Sequence, residues 1–171
     1  MTKSEARKHS LSLRKNVDNI VVSNNIVKEI IKSEILKDYN NIGIYYPIGK
    51  EISILKIMDA YPDKKFYLPI TKNEIAFIEY NSSDKLIDGP FNTKEPIGNI
   101  VRRDTIDCFI IPCVAITAHN YRIGYGKGYY DRYLEGYQGF KIGICYANSA
   151  NMEVIVDDFD VKLDFKFIGW Y

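Results

Sequence analysis

Between residues 122 and 132 the chain reads RIGYGKGYYDR. Gly124, Gly126 and Gly128 alternate there, with Lys127 between the last two. Glycine takes positive φ without strain and lets another group approach its backbone. Successive amides of such a loop can therefore converge on an anion. Arg122 and Lys127 add the positive charge an oligophosphate asks for. Where the loop runs into a helix, the first helical amides favour phosphate too. The string is not a P-loop, because Gly128 follows Gly-Lys where Ser or Thr would be needed, and Tyr129 spoils a dinucleotide fingerprint. The three glycines alone would also serve as a flexible turn; Arg, Lys, paired Tyr and Asp make the full string far more specific.

Six of the fourteen tyrosines lie between Tyr121 and Tyr137. Tyr129, Tyr133 and Tyr137 fall on one helical face, where Tyr133 and Tyr137 read as core. Tyr125, Tyr129 and Tyr130 lie at the loop and could stack on a flat heterocycle. Upstream, Lys3, Arg7 and Arg14 share a helical stripe. That stripe is a solvated basic face, or a phosphate contact if its helix packs beside the glycine loop. The segment Tyr45 to Glu51 follows an apolar run, where the ligand site of an α/β protein falls. There Glu51 is either a helix-end charge or a ligand group.

The elements that must hold these residues are short. Residues 2–38 read as helix, with Asn24-Asn25 as a candidate break. IGIYY (42–46), 65–68, 75–80, DCFII (107–111), FKIGICY (140–146) and 163–168 read as strands. Glu51 to Ala60 and Gly128 to Tyr137 read as helices. Residues 81–105 carry little pattern, and a stretch that long is often functional. Helices between apolar strands predict an α/β sheet covered on both faces.

Composition narrows the function. With 23 Lys+Arg against 22 Asp+Glu, the net charge of +1 gives no electrostatic case for nucleic acid or an anionic membrane. Length predicts one domain, and 46% hydrophobic residues argue against disorder. No apolar run approaches the ~20 residues of a spanning helix, and MTKSEARKHS lacks the apolar core of a signal peptide. Three cysteines without C-x-x-C read as small buried hydrophobes in a reducing compartment. His9 and His119 are too few for a His/Cys zinc site, and no G-x-S-x-G supports a serine nucleophile.

RIGYGKGYYDR, preceded by IIPCVAI, resembles the 5-formyltetrahydrofolate cyclo-ligase (5,10-methenyltetrahydrofolate synthetase) family. Lys3-x-x-x-Arg7, Tyr46 with Glu51, Glu95-Pro96, and Asp160 with Asp164 fall in that family's order. The resemblance spans essentially residues 1–171 and implies an α/β fold, a three-layer αβα sandwich around a mainly parallel central sheet. It implies a cytoplasmic ligase with ATP as co-substrate and Mg²⁺ as cofactor. Lys3, Ser4, Glu5, Ala6 and Arg7 would bind ATP, together with Arg122, Ile123, Gly124, Tyr125, Gly126, Lys127, Gly128, Tyr129 and Tyr130. Tyr46 and Glu51 would bind the folate, with Tyr125 to Tyr129 near both ligands. Arg122 and Lys127 would be the catalytic cations, and Asp131 and Asp160 the metal ligands. The expected partners are the two small molecules alone, with no nucleic acid and no membrane, acting on a monomer or weak homodimer. The chain departs from the family pattern at Ile116-Thr117 (usually Phe-Asp), Asn120 (usually Gly), Phe159 (often His) and its FIGWY end. Asn tolerates a left-handed backbone, so Asn120 is expected to keep the turn.

The implied reaction makes 5,10-methenyltetrahydrofolate, ADP and phosphate from 5-formyltetrahydrofolate and ATP, by phosphorylation of the formyl oxygen and attack of N10. Two rivals stand beside it. A sugar-phosphate isomerase on a similar scaffold would bind phosphate without hydrolysing ATP. A nucleotide- or RNA-binding module would use the basic stripe and tyrosines, and would show strongly salt-dependent binding.

Overall fold

The computed structural model describes residues 1–171. Helix α1 (Lys3–Leu13) is followed by a 3-10 turn (Arg14–Asn16) and helix α2 (Asn19–Ser33). Thr2 and Glu5 form a capping box that starts α1. The α-helical break falls at residues 14–18, not at Asn24-Asn25 as the sequence suggests. Asp18 decides this, because its side chain accepts from the amides of Ile20 and Val21 and begins α2. Val22, Ile26 and Ile30 then recur at i, i+4, i+8 and are buried, whereas Ile20 and Val21 stay exposed.

The strands that follow are β1 (Asn41–Gly43), β2 (Lys65–Thr71), β3 (Ile75–Tyr80), β4 (Leu86–Asp88), β5 (Lys94–Pro96), β6 (Ile100–Val101), β7 (Cys108–Pro112), β8 (Ala115–Ile116), β9 (Arg122–Ile123), β10 (Phe140–Tyr146) and β11 (Phe165–Gly169). Seven of them form one sheet in the order β11-β10-β7-β1-β2-β3-β6. The first five in that order run parallel. β3 and β6 add antiparallel at one edge. β4 with β5 and β8 with β9 make two small hairpins.

Both faces of the sheet are covered, as continuous apolar strands require. Cys108 and Ile110 of β7 face the cluster built with Val22, Ile26 and Ile30 of α2. Phe109 and Ile111 face the opposite cluster, with Tyr130, Leu134 and Tyr137. Each isoleucine so buried contributes about 1.5–3 kcal/mol. Gly43 pairs with Phe109 across β1 and β7. A Cβ at Gly43 would run into the Phe109 ring, so glycine lets the two central strands and that ring share one space. The layers are therefore helix, mostly parallel sheet and helix, as expected from the sequence.

Two expected helices shrink. Only Ile57–Ala60 (α3) of the 51–60 segment is helical, and only Tyr129–Tyr133 (α4) of 128–137. Tertiary bonds claim the missing turns: Ser53 donates its amide to the Ser23 hydroxyl, and the Ile52 carbonyl accepts from the Tyr45 hydroxyl. Beyond α4, Gly136 turns the chain at φ +72°. The patternless 81–105 stretch is structured, as hairpin β4–β5, two 3-10 turns and β6.

β1 is central. The chain leaves it for β2 on one side, while β7 lies on the other. Such a switch in strand order opens a crevice beyond the carboxyl ends of the two strands, where ligands bind in open α/β sheets. The loop Ile44–Glu51 leaves β1 there, and Cys113 with the β8–β9 hairpin leaves β7 there.

Candidate active site

A cavity of about 570 Å³ opens at this crevice. One wall is the glycine loop. Gly126 and Gly128 adopt φ +102° and +73°, the left-handed region that disfavours a side chain. Gly124 needs no positive φ; a Cβ there would strike the Arg122 guanidinium. No backbone carbonyl accepts from the amides of Gly124 through Gly128. The loop is exposed from Tyr125 to Lys127, so these amides are open to water or to a ligand. That is what an anion-binding loop leaves available. With α4 reduced to Tyr129–Tyr133, the loop amides, and not a long helix dipole, carry that role.

The basic stripe of α1 packs against this wall. Arg7 Nε donates to the Gly124 carbonyl at 2.7 Å. Lys3 lines the cavity and pairs with Asp160 at 2.6 Å. Arg122 is buried, donates from Nε to the Pro112 carbonyl at 2.8 Å and lies 4.6 Å from the Tyr130 ring centre. Lys127 is exposed at the mouth. The structure thus brings Lys3, Arg7, Arg122 and Lys127 to one cavity. Ser4, Glu5 and Ala6 do not line it: Glu5 is spent on the capping box and Ala6 is packed in the core.

The facing wall is Tyr45, Tyr46 and Glu51. Glu51 is 4% exposed and does not cap a helix. Its Oε1 accepts from the Ile48 amide at 2.7 Å, folding the loop back on itself. Burial pushes its carboxyl pKa up; the Ile48 amide, Arg14 and Arg122 pull it back. Tyr125 lines the cavity and bridges the walls, with its hydroxyl 3.3 Å from Arg14 Nη1. Tyr129 and Tyr130 also line the cavity, whereas Tyr133 and Tyr137 pack edge-on against Phe109 in the core.

Asp131 and Asp160 share this cavity. Asp131 Oδ1 accepts from the Val161 amide at 3.2 Å, which sets the two carboxylate segments side by side. Arg132 pairs with Glu74, leaving Asp131 out of the ion pair that sequence adjacency would suggest. Asp160 is 8% exposed and held by Lys3, so it is no ordinary surface carboxylate. No three His, Cys, Asp or Glu side chains converge. The donor set therefore amounts to two carboxylates. That fits Mg²⁺, which needs one or two carboxylates beside water and phosphate oxygens.

Residue pattern and crevice together correspond to one family. The sequence pattern of the 5-formyltetrahydrofolate cyclo-ligase family matches residues 2–165. The chain belongs to that family. A 5-formyltetrahydrofolate cyclo-ligase of Mycoplasma pneumoniae is 36% identical over 135 residues, covering 72% of this chain and 69% of the relative. Its counterpart in Mycoplasma genitalium is 41% identical over 128 residues, with the same coverage of each chain. The NMR structure of Aquifex aeolicus 5,10-methenyltetrahydrofolate synthetase superimposes with a TM-score of 0.85 at 29% identity, covering 99% of this chain and 90% of that one. Membership makes the chain a cyclo-ligase-type enzyme and agrees with its mostly parallel α/β sheet.

The departures from the family pattern are absorbed locally. Asn120 holds the β8–β9 turn at φ +66°, as expected. Thr117 is buried and its hydroxyl accepts from the Tyr121 amide at 3.0 Å, closing the same turn. Phe159 is exposed, with Lys3 Nζ 5.2 Å from its ring centre. No helix is long and apolar enough to cross a membrane. Sequence reasoning missed Thr71, Ile75, Phe91 and Thr93 as cavity walls. Two signals pointed there: the Gly89-Pro90 turn just before Phe91, and the long patternless stretch 81–105 that contains Phe91 and Thr93.

Proposed function

We propose that the protein converts 5-formyltetrahydrofolate and ATP to 5,10-methenyltetrahydrofolate, ADP and phosphate. The observation that carries this reading is the single cavity in which five unspent loop amides and four cations face a buried carboxylate. The amides of Gly124–Gly128 with Lys3, Arg7, Arg122 and Lys127 suit the triphosphate. Tyr46 and Glu51 suit the folate, whose N–H groups a carboxylate accepts. Tyr125 and Tyr129 line the space between the two.

The chemistry follows from the substrate. A formamide is a poor electrophile because nitrogen donates into its carbonyl. Transfer of the γ-phosphoryl group to the formyl oxygen forms a P–O bond and releases ADP. N10 of the same folate then attacks the formyl carbon, the C–O bond breaks, phosphate leaves with its electron pair, and N10 gives up its proton. The attack is intramolecular and gains a large effective molarity. Phosphoryl transfer asks mainly for alignment and charge neutralisation. Arg122 and Lys127 supply that charge on the phosphate side, and Glu51 fixes the folate side. Asp131 and Asp160 would hold Mg²⁺, which when bound neutralises phosphate charge. The same reading treats residues 1–171 as one cytoplasmic domain, monomeric or weakly dimeric, that needs only its two small molecules. Both apolar clusters packing on one sheet support the single domain.

The test is to mix the protein with 5-formyltetrahydrofolate, ATP and Mg²⁺ and follow the methenyl product by absorbance while ADP is measured. One ADP per methenyl product supports the reading. Product without ATP, or ADP release that ignores the formyl folate, contradicts it.

A further inference from the structure

Arg14 lies outside the family-derived set of site residues, in the 3-10 turn after α1. It is only 6% exposed. Nη2 donates to the Cys113 carbonyl, just past the end of β7, at 2.8 Å, and Nη1 to the Tyr125 hydroxyl at 3.3 Å. The guanidinium lies 5.5 Å from the Tyr146 ring centre. Nε is buried without any partner. Arg14 and Glu51 also wall the same small internal pocket behind the main cavity, with Tyr45 and Tyr146.

Packing alone does not account for such a residue. A buried guanidinium carries a large desolvation cost and needs a nearby negative charge. Glu51, itself buried, supplies that charge, and Arg14 in turn opposes the burial that would neutralise the Glu51 carboxyl. Between them stands Tyr125. Its oxygen accepts from Arg14, and Tyr125 and Glu51 line the same main cavity. One cation thereby ties together the end of β7 and the glycine loop, and it shares a pocket wall with the carboxylate of the β1 loop.

We propose that Arg14 is the positioning residue of the folate half of the cavity. It stands behind Glu51 as the neighbouring cation of an acceptor for the N–H edge of the folate heterocycle, and it anchors the Tyr125 hydroxyl at the same cavity. This rests on the reading under Proposed function, so wild-type turnover and the effect of Arg14 are measured separately.

The test compares wild type, Arg14→Gln, Arg14→Lys, Tyr125→Phe and the Arg14→Gln/Tyr125→Phe double variant in steady-state kinetics. Wild-type turnover of the formyl folate with ATP tests the functional reading, which fails on its own if no methenyl product forms. Arg14→Gln is expected to raise KM for the formyl folate about tenfold or more, the size of one charge-assisted hydrogen bond. KM for ATP should stay within about twofold of wild type, because uniform binding of the other substrate is untouched. Arg14→Lys should recover part of the loss, having the charge without the fork. The double variant should be no worse than Arg14→Gln, since both changes break one chain of contacts. Equal rises in both KM values, or additive effects of Arg14→Gln and Tyr125→Phe, would overturn the proposal and make Arg14 a structural tie. If Arg14→Gln does not fold, Arg14→Lys and Tyr125→Phe decide alone: a rise in folate KM with ATP KM unmoved supports it, and no such split overturns it.

Discussion

The two walls of the cavity are built on opposite physical plans. The glycine-loop wall is open: Tyr125, Gly126 and Lys127 are exposed, and its donors are backbone amides with no internal acceptor. The carboxylate wall is closed: Tyr45, Glu51 and Arg14 are each at least nine-tenths buried and bonded in place before any ligand arrives. An open wall of amides suits a highly charged, hydrated group that brings its own counter-ions. A closed wall with one preset charge suits a flat heterocycle, whose discrimination depends on an unpaired buried group being left behind by the wrong ligand. The difference predicts that changes on one wall act on one substrate, and on its own physical footing.

The largest expected effect breaks the open wall at its backbone. Gly126→Val forces a β-branched residue to φ +102° and directs its side chain at the Arg7 guanidinium, 3.4 Å from the ideal Cβ. Strain of about 1–2 kcal/mol accompanies a misplaced left-handed residue, and the blocked approach adds to it. The variant should remain folded by circular dichroism and show no ATP binding by calorimetry; wild-type affinity would remove the loop from the nucleotide site.

Next in size are the carboxylates between the walls. Asp131→Asn should raise the Mg²⁺ concentration for half-maximal turnover several-fold and lower the maximal rate. Asp160→Asn should do so more mildly, because Lys3 already balances that carboxylate. Magnesium titrations of both variants that overlay wild type would show that nucleotide and water alone hold the ion.

The smallest effect probes how closed the second wall is. Cys113 lends its carbonyl to Arg14 and its thiol is buried, with its pKa pushed up to about 11 by burial. Cys108 and Cys145 are buried and shifted upward in the same way. A thiol reagent at pH 8 should label none of the three until the protein unfolds, since the thiolate is the reactive form. Rapid labelling of native protein would mean that this wall opens.

The same contrast governs what the sequence made legible. Alternating Gly124, Gly126 and Gly128 report a local backbone need, and φ at Gly126 and Gly128 bears it out. β10 appears with the expected bounds, Phe140–Tyr146, because an apolar run buried on both faces needs no partner to be recognised. The stripe reaches the glycine loop at two positions, Arg7 through Gly124 and Arg14 through Tyr125, while Lys3 lines the same cavity and pairs with Asp160. The closed wall, by contrast, is assembled from residues about a hundred positions apart in the chain, as Arg14 with Cys113 and Lys50 with Tyr146 are. No local pattern encodes that, so from its own segment Glu51 looked more like a helix-end charge than a ligand group. The overlong helix expected at 51–60 has the same cause: the Ser53 amide goes to Ser23, thirty residues away, and not to its own helix. Residues 81–105 looked patternless because β4, β5 and β6 are two or three residues each, too short to show alternation.

The central claim, that one cavity holds two substrates on two separate walls, is tested most directly by crossing one variant from each wall with both substrates. Lys127→Ala and Glu51→Gln would be assayed for methenyl formation while ATP and the formyl folate are varied in turn. The account predicts that Lys127→Ala raises KM for ATP and leaves that for the formyl folate nearly unchanged. Glu51→Gln should do the reverse. Parallel shifts of both KM values in both variants, or folate kinetics unmoved in Glu51→Gln, would contradict it.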